Sequence, residues 1–210
     1  MALSYAARER LFRLMRILER RAKEPLTSAR AEELTGWPSH TIRKDISCLG
    51  GAEEGGPIGS SAGYDPELLI PLIKKTLGLD RRRKFCVVGL GRLGSAYLNF
   101  QPLELGEFEL AAGFDVNVNR VEILKSPAPL YPACKMAEVV GRFGIEIALL
   151  CVPAEQAQAA AEKCAAAGIR GFVNFAPVVL SLPPGIKARN VYVTDELREL
   201  AIQMSAETGA

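Results

Sequence analysis

The sequence feature that most constrains the fold is a glycine-rich turn between a predicted strand and a predicted helix. The apolar run Phe85-Cys86-Val87-Val88 leads directly into Gly89-Leu90-Gly91-Arg92-Leu93-Gly94, and an amphipathic segment follows as far as Phe100. In such a unit the first glycine permits a tight turn, the second lets a pyrophosphate approach the backbone, and the third allows close packing of helix on strand. The helix N-terminus favours negative charge. The turn therefore predicts an α/β Rossmann domain that binds a nucleotide.

An acidic residue at the end of the next predicted strand narrows the choice of nucleotide. Residues 108–114 form that strand, and Asp115 lies 21 residues beyond Gly94. A carboxylate here accepts hydrogen bonds from the adenosine ribose hydroxyls and repels a 2′-phosphate. Arg120 is the nearest cation that could offset this repulsion. We therefore predict NAD(H) rather than NADP(H), with coenzyme A, which binds domains of the same fold, as an alternative ligand.

Two further strands and a helix extend the domain. Residues 145–152 and 169–175 are apolar runs typical of buried parallel strands, and residues 155–167 form the helix between them. Ligands of doubly wound parallel sheets bind beyond the carboxyl ends of the strands, although Asn and Pro are also common in ordinary turns there. The predicted nucleotide-binding residues are Gly89, Leu90, Gly91, Arg92, Leu93, Gly94, Asp115, Val152, Pro153, Asn174, Phe175, Ala176 and Pro177.

The first eighty residues predict three short helices. Apolar residues recur at i, i+3, i+4 and i+7 in the first helix, at Leu11, Leu14, Met15 and Leu18. After Pro25, either Thr27 or Ser28 can cap a second helix that ends near Gly36. The third helix follows Pro38, with Ser39 as its predicted N-cap. A helix-turn-helix results, because a tight turn containing glycine joins the second and third helices.

The third helix has the residue types that read DNA. An α-helix fits the major groove, where Arg or Lys can bond guanine and small hydroxyls can reach phosphates or bases. The alternative is that Arg43 and Lys44 are ordinary surface charges, one of them paired with Asp45. The candidate DNA-binding residues are Ser39, His40, Thr41, Arg43, Lys44 and Ser47.

The segment after this helix predicts a wing, a fourth helix and a linker. Residues 50–63 are rich in Gly and Ser, and a helix then begins at Asp65-Pro66 and stops at Gly78. Residues 80–84 link it to the first Rossmann strand. We therefore predict a winged-helix DNA-binding domain over residues 1–80, a Rossmann domain over 84–194 and a C-terminal helix over 195–210.

Composition and charge limit the kinds of protein that this chain can be. Residues 1–83 hold 15 Lys and Arg against 11 Asp and Glu, whereas the remainder holds 11 against 13, so the basic excess is N-terminal. The five cysteines lack C-x-x-C spacing and are odd in number, which argues against a disulfide framework. No apolar stretch reaches the roughly 18 residues of a membrane span. We expect a cytoplasmic protein with no metal site and no membrane segment.

The combination resembles the Rex family of redox-sensing transcriptional repressors over nearly the whole chain. The matching segments, in order, are Arg10-Leu11, Arg16-Ile17-Leu18, residues 41–47, Gly63-Tyr64, residues 89–94, Phe114-Asp115, Val152-Pro153-Ala154, Gln158, Ala167-Gly168-Ile169 and residues 174–177. The resemblance implies a homodimer that represses by binding double-stranded operator DNA. It also implies that NADH releases the DNA and that the C-terminal helix is exchanged between subunits.

Three departures from the family pattern bear on DNA binding by the wing and on redox sensing. The wing carries Glu53-Glu54 and no Lys or Arg, whereas the family wing is short and basic. Phe100 replaces a usual tyrosine, and Tyr192 replaces a usual aspartate. The resemblance implies that these two positions couple the nicotinamide to Arg10 of the first helix.

The departures leave three functions open. The first is a repressor that responds to the NADH/NAD⁺ ratio. The second is a regulator of the same fold with weakened or lost redox discrimination. The third is a small NAD-dependent oxidoreductase, against which stand the lack of a substrate domain and the placement of the single histidine, His40, in the N-terminal domain. We therefore expect no catalytic residues.

Overall fold

The computed structural model describes residues 3–20, 25–49, 59–60, 63–100 and 106–207. Within it the chain forms two compact units, Met1–Arg81 and Arg82–Ala210, here called the N-terminal and C-terminal units. Most of the predicted wing loop, including Glu53 and Glu54, lies outside the described residues. The prediction that this wing loop is acidic therefore rests on the sequence alone.

The N-terminal unit is a winged helix. The hairpin strands pair in antiparallel fashion, and Leu26 extends them through two backbone hydrogen bonds with Tyr64, of 2.9 and 3.0 Å. The predicted helix-turn-helix is confirmed as the core of this unit. Its elements are α1 (Tyr5–Arg20), α2 (Ser28–Thr35), α3 (Ser39–Ser47), β1 (Gly59–Ser60), β2 (Gly63–Tyr64) and α4 (Pro66–Leu77).

One apolar cluster holds these helices together, because α1, α3 and α4 contribute apolar stripes and α2 contributes Ala31. The residues of α1 at Leu11, Leu14 and Leu18 are buried against α3 and α4 residues such as Ile42 and Ile73. Removing such side chains from water contributes about 25 cal/mol per Å² of apolar surface. The cluster therefore fixes α3 on the unit while leaving its other face exposed.

The helix ends decide between predicted caps. The hydroxyl of Thr27 accepts a hydrogen bond from the Arg30 N–H at 3.1 Å, so Thr27 rather than Ser28 caps α2. The prediction that Ser39 caps α3 is wrong. Pro38 occupies the cap position without a side-chain bond, and Ser39 is the first helical residue, whose N–H donates to the Glu32 carboxylate at 3.0 Å. A carboxylate from α2 thus supplies the acceptor at this helix terminus.

The C-terminal unit is a parallel sheet with helices on both faces. Its six strands lie in the order β5-β4-β3-β6-β7-β8, and every neighbouring pair is parallel, which is the Rossmann arrangement. The elements are β3 (Arg83–Val88), α5 (Arg92–Leu98), β4 (Phe108–Asp115), α6 (Val118–Ile123), β5 (Leu130–Pro132), α7 (Met136–Phe143), β6 (Ile145–Leu150), α8 (Ala154–Ala166), β7 (Gly171–Asn174), β8 (Lys187–Asn190) and α9 (Val193–Glu207).

Two apolar clusters cover the two faces of this sheet. Side chains of a strand alternate between faces, so Cys86 and Val88 join α7 and α8, whereas Phe85 and Val87 join α5. Strand β6 ends at Leu150, two residues before the predicted end. The layers leave the carboxyl ends of the strands free to form a site.

The last helix stands apart from both clusters. Every side chain of α9 from Val193 to Ser205 is exposed, including Leu197, Leu200 and Met204. None of the helices within the described ranges combines the length and apolarity needed to cross a bilayer.

Candidate functional site

The carboxyl ends of four strands meet at one level of the sheet. Val88 of β3 is in register with Phe114 of β4 and Leu150 of β6, and Leu150 is in register with Asn174 of β7. Strand β3 is the first strand of this sheet along the chain, and later strands add on both of its sides. The crevice beside β3 is therefore the switch point at which doubly wound sheets bind ligands.

The three glycines of the turn have different surroundings. Gly89 has φ 90°, and a Cβ there would lie 2.7 Å from the Cys151 carbonyl oxygen. A Cβ at Gly94 would lie 1.8 Å from the Gly89 oxygen, so only glycine lets α5 pack this closely. A Cβ at Gly91 would meet no atom within 4 Å. The open space above Gly91 is where a pyrophosphate could approach the backbone at the start of α5.

A cavity of about 870 Å³ opens at this crevice. Its volume falls within the range of small-molecule sites. The predicted residues that line it are Gly89, Gly91, Arg92, Leu93, Asp115, Val152, Pro153 and Phe175. Those that do not line it are Leu90, Gly94, Asn174, Ala176 and Pro177.

The cavity also has a wall that the sequence analysis did not find. Gln156, Ala160 and Lys163 of α8 line it together with Met136 of α7. The three α8 residues are spaced by four and three positions, so the sequence does show that they share one face of a helix. Nothing in one sequence distinguishes such a cavity-facing stripe from a core-facing one, however, because both repeat with the same period.

Asp115 joins β4 to the glycine turn. One carboxylate oxygen accepts the Leu90 N–H at 2.7 Å, and the other accepts the Asn117 N–H at 2.7 Å. Arg120 adds a contact of 3.3 Å to the first oxygen. The side chain is 97% buried, so its carboxylate orients the loop from within the structure. Because the Leu90 N–H donates to this carboxylate, it is not available to bind a ligand.

Asn174 forms a buried polar network behind the cavity. Its amide N–H groups donate to the Val178 carbonyl at 2.8 Å, to the Asn190 side-chain oxygen at 3.0 Å and to the Tyr192 hydroxyl at 3.2 Å. Its own oxygen accepts the Ala176 N–H at 3.0 Å. Asn174 is fully buried, so it shapes the loop that follows β7 from behind the cavity wall.

Tyr192 connects that loop to the last helix. Its hydroxyl donates to the Val178 carbonyl at 2.7 Å, and its own carbonyl accepts N–H groups of the first turn of α9. The hydroxyl is therefore engaged within the C-terminal unit.

An aromatic cluster includes Phe175, which lines the cavity. The ring of Tyr97 lies 4.9 Å from that of Phe175 and 6.4 Å from that of Phe100, between centroids. Burial, and secondarily Cys151, raises the pKa of Tyr97. Burial also raises the pKa of Cys151 to about 12, so this cavity-lining thiol stays protonated and unreactive at neutral pH.

The exposed face of α3 carries the predicted DNA-binding side chains. His40, Arg43, Lys44 and Ser47 are exposed, while Ser39 and Thr41 are half-buried. Arg43 donates to the Ser28 hydroxyl at 3.1 Å. Among the described residues, no side-chain group pairs with Lys44.

The alternative interpretation, in which Arg43 or Lys44 pairs with Asp45, is wrong about this pairing. Asp45 pairs with Arg10 of α1, with Nε to Oδ2 at 2.6 Å and Nη2 to Oδ1 at 2.9 Å, and with neither Arg43 nor Lys44. This hydrogen-bonded partner raises the pKa of Arg10. Asp45 points inward from α3 towards α1, where the Arg10 guanidinium lies within hydrogen-bond distance of both carboxylate oxygens.

No metal site emerges within the part of the chain that the structure describes. No group of three or more His, Cys, Asp or Glu side chains there is arranged to hold an ion.

Comparisons with known proteins identify one domain family and one family of repressors. Residues 80–178 match a family model described as the CoA binding domain. The chain is 33% identical to the redox-sensing transcriptional repressor Rex of Levilactobacillus brevis, over 90% of this chain and 87% of that protein. It is 30% identical to the Rex of Listeria welshimeri, over 90% and 85%.

Solved structures are similar over both units. The crystal structure of RSP, a Rex-family repressor, has a TM-score of 0.82 and 30% identity, and the match covers 99% of this chain and 96% of RSP. RSP in complex with β-NADH is similar at a TM-score of 0.82 and 30% identity, with coverages of 99% and 97%. RSP in complex with β-NAD⁺ and operator DNA matches at a TM-score of 0.83 and 29% identity, with coverages of 99% and 95%.

Proposed function

The chain belongs to the Rex family of redox-sensing transcriptional repressors, and from that membership we propose that it represses transcription by binding operator DNA and that NADH releases it. The observation that carries this proposal is similarity over 90% of the chain to named repressors. The structures of RSP with operator DNA and with β-NADH support both ligands. Such a regulator works in the cytoplasm, where it meets its operator, and it is not an enzyme.

The nucleotide is NAD(H), bound in the cavity at the switch point. The fit rests on the space above Gly91, the negative-charge preference of the α5 N-terminus and the cavity volume of about 870 Å³. In this assignment Gly89, Gly91 and Arg92 hold the pyrophosphate, Asp115 orders the loop, and Phe175 borders the nicotinamide end. Bound NAD(H) supplies the redox state that is sensed, while the protein supplies the binding geometry.

DNA binds to the exposed face of α3. Lys44 and Arg43 provide positive charge there, and Thr41 and Ser47 provide hydroxyls for phosphates or base edges. Two such helices in a dimer read two half-sites of a palindromic operator. NADH weakens DNA binding to the extent that it binds the conformation of the dimer that cannot bind DNA more tightly than the conformation that can.

The expected coupling can be measured directly. With a duplex that the protein selects from a randomised library, saturating NADH should weaken binding at least about tenfold relative to saturating NAD⁺, which corresponds to a common coupling free energy. Fluorescence anisotropy of the labelled duplex reports the affinity. The Gly91→Ala variant, in which the methyl group occupies the approach of the pyrophosphate, should need at least about tenfold more of either nucleotide for the same response. Equal affinities of the wild type in NADH and NAD⁺ would contradict sensing.

One observation favours a second candidate, a DNA-binding regulator without redox discrimination. The Tyr192 hydroxyl is engaged by Val178, and Phe100 has no hydroxyl to offer. Calorimetry separates the candidates, because a protein of the second kind binds NADH and NAD⁺ with equal affinity.

The protein is a homodimer through α9. A fully exposed helix bearing Leu197, Leu200 and Met204 at i, i+3 and i+7 is stable in water only when its apolar stripe is covered. The double variant Leu197→Glu/Leu200→Glu should therefore be a monomer in light scattering and should lose operator binding. Gln203→Glu adds a charge to the same helix beside the stripe rather than within it and should stay dimeric. A dimeric double variant would show that the interface lies elsewhere.

A further inference from the structure

The strongest feature outside the nucleotide site is an ion pair between α1 and α3 that is made by two hydrogen bonds. Arg10 of α1 meets Asp45 of α3 with both carboxylate oxygens engaged, at 2.6 and 2.9 Å. Asp45 is 7% exposed. Such fork-shaped arginine–carboxylate pairs are among the strongest hydrogen-bonded contacts and fix orientation as well as charge.

The pair determines which charges α3 presents to its surroundings. Asp45 adjoins Lys44 in the sequence, and both line a cavity of about 410 Å³ together with Arg10 and His40. The Lys44 ammonium has no partner among the described residues, whereas the Asp45 carboxylate is fully occupied. The cavity leaves room for the flexible Lys44 side chain to turn towards Asp45 if the guanidinium were absent.

A buried carboxylate that loses its cation is costly and recruits whatever positive group is within reach. Lys44 is such a group on α3, because it lines the same cavity as Asp45. Its capture by Asp45 would remove one cation from the face that meets DNA.

We propose that Arg10 is a positioning residue for DNA binding, which keeps the Asp45 carboxylate bound to α1 and so leaves Lys44 free to neutralise a DNA phosphate. The inference rests on the proposed function, because it assumes that α3 is the DNA-binding helix. It assigns Arg10 a task within the N-terminal unit that does not involve the nucleotide.

Salt dependence of duplex binding tests the proposal. Each phosphate neutralised by a cation contributes a slope of about −0.9 to a plot of log K against log salt concentration. Arg10→Ala should reduce the magnitude of the slope by about 0.9 and weaken binding about tenfold at low salt. The double variant Arg10→Ala/Asp45→Asn removes the carboxylate as well, so Lys44 is released, and the slope and most of the affinity should return to wild-type values.

Two controls separate this role from general effects. Arg13→Ala removes an exposed arginine from the same helix and should leave the slope unchanged, which controls for net charge. Arg10→Lys retains the cation and should bind DNA nearly as the wild type does, with thermal unfolding to verify that each variant folds.

Two results would overturn the inference. One is an unchanged slope in Arg10→Ala. The other is a weakened Arg10→Ala that Asp45→Asn does not rescue, because Arg10 would then act as a DNA contact or as a structural support. If the wild type itself selected no duplex, the proposed function would fail instead, so the two failures are distinguishable.

Discussion

Replacing Gly94 by alanine should destabilise the C-terminal unit by about 4 kcal/mol or more and abolish nucleotide binding. The added methyl carbon would lie 1.8 Å from the Gly89 carbonyl oxygen and 3.2 Å from a Val87 methyl group. The first clash is with backbone that is itself held, because the Gly89 N–H bonds the Phe114 carbonyl at 2.8 Å. Helix α5 would have to move off the sheet. Urea denaturation measures the stability, and calorimetry with NADH measures the binding.

Two glycine variants provide matched controls for this result. At Gly91 the backbone has φ −69°, which alanine adopts readily, and the new methyl group meets no protein atom within 4 Å. Gly91→Ala should therefore keep stability within about 0.5 kcal/mol while weakening NADH binding at least about tenfold, since the methyl occupies the approach of the pyrophosphate. Gly141→Ala in α7 should leave binding unchanged and stabilise by up to about 1 kcal/mol. A Gly94→Ala protein that folds and binds NADH normally would refute the close helix–strand packing.

Asn174→Asp should cost about 3 kcal/mol of folding free energy at pH 8. The substitution preserves shape but removes both N–H donors, and it turns a carboxylate oxygen towards the Val178 carbonyl and the Asn190 side-chain oxygen. Because Asn174 is fully buried, water cannot replace the lost hydrogen bonds. Denaturant unfolding of the two proteins at the same pH measures the difference.

The partners of Asn174 supply the controls. Asn190→Asp keeps the acceptor oxygen on an exposed residue, so its effect should stay below about 1 kcal/mol. If Asn174→Asp were no more destabilising than Asn190→Asp, the network behind the cavity would not be holding the loop after β7.

The glycine turn was readable from the sequence because its requirements are local. Gly89 and Gly94 are needed by the backbone within one strand–turn–helix unit, and a short apolar run rich in valine before them is typical of the strand of that unit. The same holds for the stripe Leu11, Leu14 and Leu18, since helical period alone determines which face is buried.

Helices and strands with a weak local sequence pattern could not be predicted from the sequence. Strand β8 (Lys187–Asn190) is fully exposed and contains lysine and arginine, so no apolar alternation reveals it. Strand β5 has three residues, and α6 buries none of its side chains. These segments become regular because the neighbouring strand or helix offers hydrogen bonds and packing, which one sequence does not display.

The hydrogen-bond and ion-pair partners of polar side chains were the hardest feature to predict from the sequence. Asp45 adjoins Arg43 and Lys44 in the sequence, yet its partner is Arg10, 35 residues away. Asn174 has the position of a ligand-binding residue, yet its amide is consumed by Val178, Asn190 and Tyr192. A side chain's partner depends on which distant surface packs against it, and that is a property of the assembled units.

The sequence by itself determined the order of domains, the fold of each and the nucleotide turn, since these follow from periodicity and backbone geometry within short segments. Only the tertiary structure decided which polar groups remain available for ligands. Asp45 is committed to Arg10, Asp115 is committed to the Leu90 and Asn117 amides, and Lys44 is left without a partner among the described residues. The physical reason is that a hydrogen bond needs two groups within about 3 Å, and separation along the chain carries no such information once the chain has folded.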